Sequence, residues 1–236
     1  MNGAVWHVYS TALKKEVKVQ QRFPASLFSG GPVLRLLDIA IRAQESKGGS
    51  SLDDEIHRYV RVIRSDWIAG WNCSAYVASG MLELSAELVK SHADLSHLPP
   101  DFQEKLKRAC GDMEPADYLD TLAGIVRIID RQPPLEYDEL PMSDWEFRQT
   151  FPFLTGLDAI LMDEGDREFR EIVQGAVTAE HPYCHHLASA YSAEAQRATI
   201  LFPGADAVKN RLSWATRGAL RELINAVDDH MQEAHS

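Results

Sequence analysis

DAVKNRLSWATRGALRELINAVDDHM, residues 206–231, sets Val208, Leu212, Ala215, Ala219, Leu223, Ile224 and Val227 at helical intervals. On a 3.6-residue period these side chains form one apolar stripe with charges opposite, which predicts a long amphipathic helix. The same period recurs upstream. Within residues 114–131, Tyr118, Leu122, Ile125, Val126 and Ile129 share a face. Within 166–178, Phe169, Ile172, Val173 and Val177 do the same, and shorter helices are expected over 101–110, 144–150 and 154–162.

Nearer the start, Pro32 suits a first helical turn, followed by the stripe Val33, Leu36, Leu37, Ala40 and Ile41. Ser51 is a capping residue, and Asp53, Asp54 and Glu55 favour the positive end of the helix it opens. That helix carries Leu52, Ile56, Tyr59, Val60 and Ile63. Its pattern continues through Trp67, Trp71, Ala75 and Leu82 to Val89, as one long helix or one bent near Ser65-Asp66. Only residues 4–9 and 16–23 read as strands, a small amino-terminal hairpin. The expected fold class is mainly all-α, a bundle of roughly seven to nine helices.

The chain of 236 residues is read as a single helical domain over 1–236. Residues 132–143 (QPPLEYDELPMS) hold three prolines and are the expected subdomain boundary, should the core divide. No run approaches the ~20 apolar residues of a membrane span, and the start lacks the order of a secretory signal. Cys73, Cys110 and Cys184 are widely spaced and odd in number, which excludes a complete disulfide framework and a CxxC site. A cytoplasmic, reducing location is expected.

Net charge is −11, unevenly spread: residues 1–65 carry ten Lys/Arg against six Asp/Glu, and the remainder is strongly acidic. Such a body repels polyanions, so nucleic acid is disfavoured as the main partner. In the basic part, Arg35, Arg42, Arg58, Arg61 and Arg64 form a candidate surface for an anion or an acidic partner. Pairing of these arginines with the chain's own acids is the competing and favoured reading.

The densest group of metal-ligand types is Glu180-His181-Pro-Tyr-Cys184-His185-His186. His181 and His185 are four apart, a spacing that shares one helix face and grips an ion, although Pro182 places His181 at the helix cap. Asp228, Asp229 and His230 form a second group, and Asp53–Glu55 with His57 a third. Neither shows the paired Glu-x-x-His of carboxylate bundle sites. Trp67 and Trp71 could line a small-molecule pocket, although aromatics at this spacing are usually core. No phosphate-cradling glycine loop, nucleophile elbow or HExxH pair is present.

These residues support two functions. The first is a non-enzymatic helical binding protein, an adaptor, an immunity- or antitoxin-type protein or an assembly subunit, recognising another protein. The alternative is a metal-dependent helical enzyme. It would hold a divalent ion with His181, His185 and His186, joined by Asp228, Asp229 or His57.

Overall fold

The computed structural model describes residues 28–46, 49–65, 73–91, 98–163, 167–204 and 208–235. The expected hairpin at 4–9 and 16–23, with Trp67 and Trp71, lies outside them. Among the described residues the chain is all-helical, with ten α-helices and no strand. It divides into two compact units, residues 1–142 and 143–236.

The first unit holds α1 (Gly31–Glu45), α2 (Leu52–Ser65), α3 (Ala75–Ser91), α4 (Pro100–Cys110) and α5 (Pro115–Asp130). The apolar pattern expected to run from residue 51 to 89 is thus carried by two helices, α2 and α3. Gly31 has φ +76°, a backbone shape that favours glycine, and Pro32 follows in the first turn of α1. The predicted cap of α2 forms reciprocally. Asp54 N–H donates to Ser51 Oγ at 3.1 Å, and Ser51 N–H donates to the Asp54 carboxylate at 3.1 Å.

The closest packing in this unit is α3 on α5. Five of the seven buried positions of α3 are small, Ala75, Ala78, Ser79, Ser85 and Ala86, which suits a close approach to α5, where Leu119, Leu122, Ala123 and Val126 are buried. The hydroxyls of Ser79 and Ser85 are satisfied within the helix, donating to Tyr76 O at 2.8 Å and Met81 O at 2.7 Å. Phe28, just before α1, meets Phe102 of α4 with ring centroids 4.4 Å apart and planes tilted by 49°.

The second unit holds α6 (Asp144–Thr150), α7 (Pro152–Asp163), α8 (Phe169–Ala179), α9 (Cys184–Leu201) and α10 (Arg217–His235). Ser143 and Glu146 form a capping box on α6, and Phe147, Phe151 and Phe202 cluster beside it. Glu194, a buried residue of α9, accepts from the free N–H groups of Phe153 at 3.2 Å and Leu154 at 2.8 Å. One helix thus caps the start of another. Helix α10 packs against both α8 and α9.

The last helix begins later than its stripe predicts. Val208, Leu212 and Ala215 are buried as expected, but in turns. Thr216 then starts α10, its Oγ1 accepting from Ala219 N–H at 3.1 Å and its carbonyl from Leu220 N–H at 2.9 Å. At the other end the helix runs on to His235, past Met231 where the stretch read as helical ends. No helix among the described residues is long and apolar enough to cross a membrane.

Candidate metal centre

In the second unit, the turn between α8 and α9 faces the last turns of α10. Helix α9 does not start at the cluster's first histidine. Glu180, His181 and Tyr183 form turns, the His181–Pro182 peptide is cis, and the helix opens at Cys184. His181 and Cys184, three residues apart, are thereby brought side by side, with Nδ1 to Sγ 3.5 Å. His235 at the end of α10 meets the same sulfur, with Nε2 to Sγ 2.9 Å.

His230, one and a half turns earlier on α10, completes the group. Its ring lies 5.1 Å from that of His181 and 6.1 Å from that of His235, centroid to centroid. One donor atom from each of His181, Cys184, His230 and His235 lies within 4.8 Å of every other. Cys184 and His230 are buried and the outer two histidines are exposed.

His230 is held as a ligand histidine is held. Its Nδ1 lies 3.3 Å from the Thr178 hydroxyl, while its Nε2 is buried with no hydrogen-bond partner. A ligating imidazole characteristically uses its second nitrogen for such an orienting contact. An orphaned buried ring nitrogen otherwise carries a desolvation cost of about 1–3 kcal/mol. Burial, followed by the neighbouring His181 and His235, lowers the pKa of His230, keeping it in the neutral form that binds metals.

Three imidazoles and one thiol suit a borderline-soft ion such as zinc, whose bonds are about 2.0–2.1 Å to nitrogen and 2.3 Å to sulfur. A tetrahedron on those bonds sets ligand atoms about 3.3–3.6 Å apart. The observed spread therefore needs side-chain shifts of about 1 Å, within reach of the exposed His181 and His235.

The other sequence candidates lie elsewhere. His185 and His186 are exposed beyond Cys184, their rings 4.0 Å apart, and neither joins the four donors. Asp229 forms an ion pair with Arg170, which also bonds Glu222 at 2.7 Å, and Asp228 is exposed. His57 belongs to α2 in the first unit. His235 escaped the sequence reading; its one signal is a histidine five residues after His230.

The arginine group resolves mostly into internal bonds. Arg58 bridges Glu55 at 2.6 Å and donates to Pro141 O at 3.1 Å. Arg61 is buried, donates to Leu135 O and Leu140 O at 2.9 Å each, and lies 4.1 Å over the Tyr137 ring. Arg64 donates to Gln132 O at 2.9 Å and contacts Asp130. Three arginines at three-residue spacing on α2 thus fasten the proline-rich loop 132–142. Arg35 and Arg42 lie on α1, the latter exposed. No family model, curated protein or solved structure matches this chain.

Proposed function

We propose that this chain is a metal-binding helical protein whose second unit holds one zinc-type ion between His181, Cys184, His230 and His235. The observation that carries the reading is the buried, unpartnered Nε2 of His230 among three further donors. Four protein ligands fill a tetrahedral sphere, the pattern of a structural rather than a hydrolytic zinc. The ion would tie the end of α10 to the turn before α9. The ion belongs to the alternative expected from the sequence, a metal-bound helical protein, but with a structural part in place of the catalytic one.

The test is metal content by plasma mass spectrometry on untagged protein reconstituted with zinc and freed of excess. About one zinc per chain is expected. Cys184→Ser and His230→Ala should each lose it, and the double variant His185→Ala/His186→Ala should keep it. Failure of the unaltered chain to retain zinc would sink the proposal. Retention lost only with His185 and His186 would move the site to those residues.

A further inference from the structure

A cavity of the carboxy-terminal unit, about 320 Å³, lies between α9 and α10 and is lined by Gln196, Thr199, Ile200, Arg217, Arg221 and Ile224. It sits at the opposite end of this helix pair from the four donors, since Arg217 opens α10 and His235 closes it. We infer that this cavity binds a small organic anion, an oxyanion head on a compact apolar body.

Charge makes the first part of the case. The chain has 35 acids against 24 lysines and arginines. Arg58, Arg64, Arg108, Arg127, Arg170 and Arg211 each meet a carboxylate. Arg217 and Arg221 meet none among the described residues, and no acid lines their cavity. Four residues apart, they share one helix face, where two like charges repel unless an anion lies between them. Guanidinium forks suit phosphate and carboxylate oxygens, and the Gln196 amide adds a neutral donor. The Thr199 hydroxyl donates to Ala195 O at 2.9 Å, so it contributes no donor of its own.

Shape supplies the second part. Ile200 and Ile224 form the apolar wall, and Ile200 is 76% exposed although large and hydrophobic. The volume is at the lower end of small-molecule sites and takes about ten non-hydrogen atoms. An aryl phosphate or aryl carboxylate fills it with its ring on the isoleucines and its oxygens on the arginines.

The experiment is titration calorimetry of the full chain, in phosphate-free buffer, with phenyl phosphate, benzoate and inorganic phosphate. At least one organic anion is expected to bind about tenfold more tightly than inorganic phosphate. Arg217→Gln and Arg221→Gln should each weaken it about tenfold, the loss of one charged hydrogen-bonding group. Ile200→Ser should erase the advantage over inorganic phosphate and leave inorganic phosphate itself unchanged. Preference between the two organic anions identifies the head as phosphate or carboxylate, and either supports the site. Absence of binding at millimolar concentration, or binding that survives the double arginine variant, overturns it. All three variant positions are exposed, and circular dichroism of each variant is the check that it folds.

Discussion

Cys184 has two neighbours that compete for its sulfur, and a metal would satisfy both at once. Cobalt in place of zinc should therefore give a near-ultraviolet thiolate-to-metal charge-transfer band with the strong visible bands of four-coordinate cobalt. Cys184→Ser, which should no longer hold the ion, should lose both, and retention of the charge-transfer band in that variant would remove the sulfur from the site. Glu194 makes a different prediction. Burial raises its pKa from 4.5 to about 7, against the lowering influence of the Leu154 and Phe153 N–H groups and Arg197. The folded state then holds the proton more tightly than the unfolded one, so stability falls as pH rises from about 4.5 to 7 and levels above. Relative to Glu194→Gln, which keeps one acceptor oxygen but cannot titrate, the fall should reach about 2 kcal/mol in urea unfolding. A flat difference across that range would contradict it. At this scale the sequence was partly informative. The types His181, Cys184 and His230 stood in its ligand-rich segments, but their grouping depended on a helix starting at Cys184 rather than at Pro182. His235 had only its place five residues after His230 to mark it.

Among the elements, the arginine row of α2 has the clearest energetic consequence. Arg61 is buried and gives two charge-assisted hydrogen bonds and a cation–π contact to one loop, whereas Arg64 is more exposed. Arg61→Ala should cost about 2–3 kcal/mol by leaving the buried Leu140 carbonyl and the half-buried Leu135 carbonyl without their donor, and Arg64→Ala under about 1 kcal/mol. Equal small losses in denaturant titrations would show that the loop holds without them. Apolar periodicity revealed the helices themselves, because the stripes of α1, α5 and α8 bury nearly all the residues it selects. It misplaced the start of α10 for a physical reason: Val208, Leu212 and Ala215 keep helical spacing and are buried from turns just as well. Capping chemistry at Thr216, not hydrophobicity, determines where the helix begins.

For the molecule as a whole, an ion that binds only the folded form adds stability in proportion to the logarithm of its excess. At a thousandfold excess over the dissociation constant this is about 4 kcal/mol. Chelation should accordingly lower the melting temperature of the zinc-loaded protein by about 15 °C or more for a unit of this size. A melting curve unmoved by chelator would leave the four donors without a structural part to play. The all-helical class was readable from composition and period. The division into units of 142 and 94 residues falls within the proline-rich residues 132–143, the segment its prolines marked as the boundary should the core divide. Cys184 and His235 lie 51 residues apart along the chain, yet their side chains touch. A bond through a shared ion makes that stretch a closed ring, whose formation removes about 4 kcal/mol of freedom from the unfolded chain. A ring stays whole when cut once. Protein nicked between α9 and α10 should thus remain one particle with zinc and come apart into two pieces, in denaturant too weak to strip the ion, only when chelator is added.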